Sequence, residues 1–250
     1  QDLVAHAGDV FIEGFELFKG FIAIEERSNA LLRLRIRDSA GNSTFVASDE
    51  PAYTMGLNIN PEADSEWLRY GYTSLTTPNT VYEVNMKTGE RQLLKRDPVQ
   101  GGYNPDDYIT ERQWATARDG TKIPVSLVYK KGFNKDGSAA LLQYAYGSYG
   151  LSSDPRFSVT HVSLLDRGMV YAIAHIRGGQ EMGRAWYDGG KLLNKKTTFT
   201  DFIDVTRFLV AQGYAAKDRV AAYGGSAGGL LMGAIANMAP QDYTLIISQV

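Results

Sequence analysis

Gly224-Gly225-Ser226-Ala227-Gly228 sets a serine among glycines where two apolar segments of different period meet. Before it, Arg219 to Tyr223 carries Val220, Ala221, Ala222 and Tyr223 in a run that reads as a short buried strand. After it, Leu230, Leu231, Ala234 and Ile235 recur at helical spacing until Ala239-Pro240 stops the helix. A chain that leaves a strand and enters a helix within a few residues must hold the middle residue on strained backbone. Neighbouring glycines keep Cβ atoms from colliding where strand and helix nearly touch. A serine so held projects its hydroxyl from the tip of the turn, poised as a nucleophile.

Strand, tight turn and helix together form the nucleophile elbow of an α/β-hydrolase, and they predict a serine hydrolase. In that fold an acid and then a histidine follow the serine along the chain. Here His6, His161 and His175 all precede Ser226, and the only later carboxylate is Asp242, read as a solvated turn residue. The base and its orienting acid are therefore expected outside these 250 residues. The chain is expected to be an internal piece of a longer protein, inactive by itself. Gln1 in place of Met, and the apolar ending from Thr244 to Val250, agree with that expectation.

Composition limits the other possibilities. Apolar residues make up 44% and the net charge is −2, as in a globular chain with length for one large or two smaller domains. No apolar run approaches the roughly 18 residues of a membrane span, and no basic stripe points to nucleic acid. With no cysteine, disulfides, thiolate metal sites and a cysteine nucleophile are excluded. The same absence fits a reducing cytosol, so a cytoplasmic location is expected, with a periplasmic one left open. Asn42-Ser43-Thr44 matches a glycosylation sequon, but it sits in a turn signal and is read as incidental.

The two halves differ in texture. Residues 1–97 read as all-β: Leu32 to Arg37 alternates strictly, as does Leu68 to Tyr72, and Val81–Val84 and Arg91–Leu94 flank a hairpin turn at Lys87-Thr88-Gly89-Glu90. Short strands recur about every ten residues. Taken in fours they make two units, near 5–50 and 51–97, of the size of a propeller blade. A sandwich remains open. The alternating Arg33, Arg35 and Arg37 read as a solvated strand face. A Pro- and Gly-rich linker at 98–110 leads into 111–250, where a hairpin around Arg118-Asp119-Gly120-Thr121 precedes alternating strands and helices. Strands are expected at Ala139–Tyr146, Met169–Ile176, Val220–Tyr223 and Thr244–Val250, with helices at Ser158–Leu165 and Thr200–Ala211. Apolar strands between helices imply a mostly parallel sheet covered on both faces.

An elbow needs donors for a developing oxyanion. The backbone N–H of Ala227, at the start of the helix, is one. A second is expected from a loop after an earlier strand, where Tyr144-Ala145-Tyr146-Gly147-Ser148-Tyr149-Gly150 lies. A phenol O–H can serve there; the alternative is that these tyrosines merely pack. Arg177-Gly178-Gly179-Gln180-Glu181 follows a buried strand at its C-terminal end, where α/β sheets place ligands. It lacks the G-x-G-x-x-G pattern of a nucleotide loop and reads as a wall of the cleft, with Arg177 and Glu181 a candidate pair. Lys191 to Lys196 reads as a solvated surface run.

Taken together, several motifs resemble the prolyl oligopeptidase family, and within it oligopeptidase B. They are Gly-Gly-Ser-Ala-Gly-Gly at 224–229, Tyr-x-Tyr-Gly-Ser-Tyr-Gly at 144–150, Arg-Gly-Gly-x-Glu-x-Gly-Arg-x-Trp-Tyr at 177–187 and Thr-Phe-Thr-Asp-Phe at 198–202. Arg69 to Pro78 and Thr116 to Thr121 are similar to that enzyme's last propeller blades and the return to its hydrolase domain. The resemblance implies a serine peptidase that cuts short peptides after Lys or Arg, with no metal or cofactor. It implies Ser226 as nucleophile, Ala227 N–H and the Tyr146 hydroxyl as oxyanion hole, and Tyr149 lining the pocket beside the scissile bond. The family's acid, base and specificity carboxylates map beyond Val250.

Two positions depart from the family's pattern. Ala145 stands where a glycine is usual. Asp154 matches one of an acidic pair that binds a second basic residue in some members, but Arg156 takes the place of the other and would repel a cation. Asp154 and Arg177 complete the candidate substrate-binding set. Prolyl specificity, an esterase with the same elbow and a non-catalytic relative are the alternatives.

Overall fold

In the computed structural model, residues 2–249 are described. They form two sheets. The first is built from two antiparallel meanders. Strands β1 (Val10–Leu17), β2 (Phe21–Ser28), β3 (Leu31–Asp38) and the short β4 (Ser43–Phe45) make one. Strands β5 (Tyr53–Leu57), β6 (Trp67–Ser74), β7 (Thr80–Asn85) and β8 (Arg91–Arg96) make the other. Their backbone ladders join at a single pair, Leu32 opposite Thr54, while their side chains share one core. Two four-stranded units whose ladders meet so briefly are propeller blades rather than one continuous sandwich sheet.

The alternation in β3 does what a period of two requires: Leu32, Leu34 and Ile36 are buried, the last two packed with Met55, Leu68 and Tyr70. Its other face corrects the sequence reading. Arg33 and Arg35 are half-buried, and both grip the carboxylate of Glu26, which is 1% exposed. Arg37 donates to the Gly41 carbonyl at 2.8 Å. A guanidinium on a strand is long enough to reach across to the next strand, so alternation alone does not make it a solvated face.

The second sheet runs in the order β9 (Tyr108–Thr116), β10 (Lys122–Lys130), β12 (Val170–Ala174), β11 (Leu141–Tyr144), β13 (Val220–Gly225), β14 (Leu245–Gln249). The last four are parallel; β9 and β10 form the antiparallel hairpin at one side. Helices α1 (Val159–Leu165), α2 (Arg184–Asp188), α3 (Lys195–Ala211) and α4 (Ala227–Met238) connect them. Strand β12 is buried along its length, as a central strand covered on both faces must be. This is an incomplete α/β-hydrolase core. Because β12 crosses to one side of β11 and β13 to the other, the chain reverses direction around β11, which opens a crevice at its C-terminal end.

Several boundaries differ from the sequence expectation, β12 ending at Ala174 and β13 running to Gly225, and the short helix α2 was not expected. Strand β11 is shorter than Ala139–Tyr146, because the chain leaves the sheet at Ala145. Helix α3 starts at Lys195 rather than Thr200, one turn of polar residues having hidden its beginning. Within 98–110, Pro105–Asp107 forms a 3-10 turn and β9 begins at Tyr108. Among the described residues no helix is long and apolar enough to cross a membrane.

Candidate active site

Ser226 stands between β13 and α4 with φ 54° and ψ −117°, a conformation that side chains other than glycine's rarely adopt. The surroundings over-determine it. Its N–H donates to the Gln249 carbonyl at 2.8 Å and its carbonyl accepts from the Gly229 N–H at 2.8 Å. A Cβ at Gly224 would overlap the Gly228 carbonyl oxygen, and one at Gly228 would stand 2.9 Å from the Ala145 carbonyl oxygen. Strand, helix and neighbouring loop thus meet at distances only glycine permits. The serine itself is exposed. Strain of this kind costs about 1–3 kcal/mol and persists where the fold imposes it.

Parallel pairing of Tyr144 with Tyr223 brings the end of β11 beside the end of β13. Tyr146 therefore leaves its strand next to the elbow, its Cα 3.7 Å from where a Cβ on Gly228 would lie. The loop that follows is tightly wound. Gly147 (φ 68°), Tyr149 (φ 57°) and Gly150 (φ 67°) all adopt left-handed backbone. Gly147 and Ser148 are buried, whereas Tyr149 is 75% exposed. Ala227, whose N–H begins α4, lies on the other side of Ser226. A developing negative charge above Ser226 would face an amide at a helix start and a loop carrying Tyr146.

Arg177 does not behave as the sequence suggested. Its guanidinium is held by Asp201 at 2.6 and 2.8 Å and by Asp119 at 2.7 Å, so it does not pair with Glu181. The Asp201 carboxylate also accepts the Arg177 N–H at 3.1 Å, tying β12's exit loop to α3. Glu181 is 2% exposed and accepts from the Ser153 N–H at 2.9 Å, leaving its Oε2 without a partner. Burial raises its carboxyl to about 7, countered mainly by the Ser153 amide. Asp154 is equally committed: Arg27 of β2 reaches it at 2.6 Å and Arg156 at 3.1 Å. Both of its carboxylate oxygens are thus engaged. Asp242, read as solvated, pairs with Arg207 at 2.8 Å.

None of the three histidines hydrogen-bonds to Ser226 among the described residues. His175 is buried, shares a 2.7 Å hydrogen bond with Ser126, and is held neutral by desolvation, its pKa lowered to about 3. His161 stacks on Tyr171. His6 lines a cleft beside Arg33 and Arg184. No cluster of three metal-ligating side chains occurs among the described residues.

A profile described as the N-terminal β-propeller domain of prolyl oligopeptidase matches residues 1–97, and one described as the prolyl oligopeptidase family matches 155–250. The chain belongs to the prolyl oligopeptidase family. It is 66% identical over 251 residues to dipeptidyl aminopeptidase BI of Pseudoxanthomonas mexicana, covering 100% of this chain and 35% of that protein. Protease 2 of Moraxella lacunata is 40% identical over 249 residues, again covering 100% of this chain and 36% of the relative. Oligopeptidase B from Trypanosoma brucei, solved with antipain covalently bound, superposes with a TM-score of 0.89 at 37% identity, over 98% of this chain and 36% of that one. The chain spans about a third of the length of these relatives.

Two site neighbours were missed from the sequence of this family member. Arg27, 2% exposed in β2, belonged to no motif, and its partners Glu13 and Asp154 lie on different elements. Lys195, taken for part of a solvated run, turns inward and donates to the Gly147 carbonyl at 2.5 Å and the Ser148 hydroxyl at 2.6 Å. A cation at the first residue of a helix opposes the helix dipole and needs another reason to be there, but the helix start that makes this visible was itself hidden in the sequence.

Proposed function

We propose that the protein to which this chain belongs is a serine peptidase of short peptides that cleaves after Lys or Arg. The observation that carries this reading is Ser226 held exposed at φ 54°, ψ −117° where β13 meets α4. Its Oγ attacks the scissile carbonyl, and the oxyanion is received by the Ala227 N–H and the Tyr146 hydroxyl. An acyl-enzyme forms and water resolves it. The proton of Ser226 passes to a base contributed by sequence outside residues 2–249, since His6, His161 and His175 are all engaged or placed elsewhere. Tyr149 lines the pocket for the residue before the scissile bond.

The occupied Asp154 carboxylate argues against a preference for paired basic residues. A second reading, release of dipeptides from a free N-terminus, is favoured by the 66% identity to a relative named dipeptidyl aminopeptidase BI. A panel of fluorogenic amides on the whole protein separates them. Faster cleavage of N-blocked Arg and Lys amides than of free dipeptidyl amides supports the endopeptidase reading. The reverse order supports the second, and cleavage after Pro alone defeats both.

A further inference from the structure

Lys195 opens α3, where the helix dipole disfavours a cation, and it is half-buried. Desolvation lowers its ammonium to about 8, and no neighbouring carboxylate offsets that cost. A lysine has four carbons with which to reach solvent instead. Here the side chain lies near the Phe199 ring, 5.9 Å from its centre, and delivers its protons to the Gly147 carbonyl and the Ser148 hydroxyl. Those two atoms form the turn between Tyr146 and Tyr149.

That turn has one hydrogen bond of its own, from the Leu151 N–H to the Ser148 carbonyl at 3.0 Å, and is otherwise held by its neighbours. Three of its four residues from Gly147 to Gly150 lie in the left-handed region; glycine adopts it freely, but Tyr149 keeps it only under restraint. Its far end is restrained by the exit loop of β12: the Gly150 N–H donates to the Gly178 carbonyl at 3.0 Å, and Gln180 donates to the Gly150 carbonyl at 3.2 Å. Its near end packs on Ile176 and Thr198, which leave no room for a side chain at Gly147. Beyond packing, the polar restraint there comes from Lys195.

We infer that Lys195 is a positioning residue: its ammonium fixes the Gly147–Ser148 turn so that Tyr146 stays beside the elbow and Tyr149 stays at the substrate face. This rests on the serine-peptidase reading. Lys195 itself touches neither the nucleophile nor the reacting carbonyl.

The test uses the whole protein. A fluorophosphonate probe counts reactive serines, and kcat for an N-blocked Arg coumarylamide is expressed per labelled site. Lys195→Met should lower kcat per site by roughly 10–100-fold, the size expected when a catalytic donor is misplaced by about an ångström. Lys195→Arg, which keeps a cationic donor, should recover most of that loss. In a Tyr146→Phe background the same Lys195→Met change should cost less than roughly 3-fold, because the lever it acts through is gone. Losses that multiply in the double variant overturn the inference. So does an unchanged kcat per site with a lowered melting temperature, which would mark a packing role. If the wild-type protein takes no label at all, the serine-hydrolase reading itself fails and this inference falls with it.

Discussion

The Arg27 guanidinium and the Asp154 carboxylate meet at 2.6 Å across the boundary between the propeller strands and the hydrolase sheet. Arg27 is buried and Asp154 half-buried, and Arg27 also holds Glu13 at 2.7 Å. Close by, Ala30, at φ 59° in the hairpin tip between β2 and β3, donates its N–H to the Glu181 carbonyl at 2.9 Å. One hairpin thus docks on the two loops that flank the candidate site.

Arg27→Met should leave the Asp154 carboxylate short of its buried partner, while Glu13, which is exposed, turns to solvent. Removing one partner of a buried ion pair costs about 3–5 kcal/mol, and Arg156 still contacts Asp154, so the lower end of that range is expected. Denaturant unfolding of the whole protein would measure it. Adding Asp154→Asn should recover part of the loss, a coupling of about 1–3 kcal/mol.

Glu181 makes stability depend on pH in a defined direction. Its folded carboxyl is raised from 4.5 to about 7, so the protonated form is the one the fold prefers. The stabilisation is fully present below about pH 4.5 and is lost as pH rises through 7. A shift of that size is worth about 3 kcal/mol. Glu181→Gln, which keeps an acceptor for the Ser153 amide, should be more stable than wild type at pH 8 and lose that advantage at pH 4.5. Equal pH dependence in the two proteins would contradict the assignment.

Ser226→Ala should lower kcat roughly 10⁴–10⁶-fold and abolish fluorophosphonate labelling. Ser226→Gly should abolish both as well. It should also unfold later than Ser226→Ala, by about 1 kcal/mol, because glycine relieves the positive φ and alanine does not. Identical unfolding midpoints would show that the elbow is unstrained.

Tyr146→Phe should reduce kcat by roughly 10²–10³-fold while leaving KM nearly unchanged, as expected for a donor that acts only on the oxyanion. Gly228→Ala offers an independent approach to the same geometry. Its Cβ would press on the Ala145 carbonyl oxygen from 2.9 Å, moving the Tyr146 loop off the elbow and lowering kcat roughly 10-fold or more. A normal rate in both variants would exclude Tyr146 from the oxyanion hole.

Local pattern carried much of the fold. The elbow was legible because its cause is local: Gly224 and Gly228 are neighbours in sequence and also the atoms that nearly collide. Strand alternation in Leu32 to Ile36 marked the buried face for the same reason. Partner choice was not legible. Arg177 took Asp201 over Glu181, and Arg33 and Arg35 took Glu26 over solvent. Charged side chains long enough to reach several neighbours are assigned by whichever carboxylate the backbone brings near.

By itself, the sequence determined the order of strands and helices, the glycine-framed serine and the two-part texture of the chain, since these follow from periodicity and steric exclusion over a few residues. Only the tertiary structure decided that Asp154 is already paired, 127 residues from Arg27, and that Lys195 braces a turn 48 residues away. A hydrogen bond is made over a few ångströms in space, and nothing in the spacing of residues along the chain says which distant strands will supply its two ends.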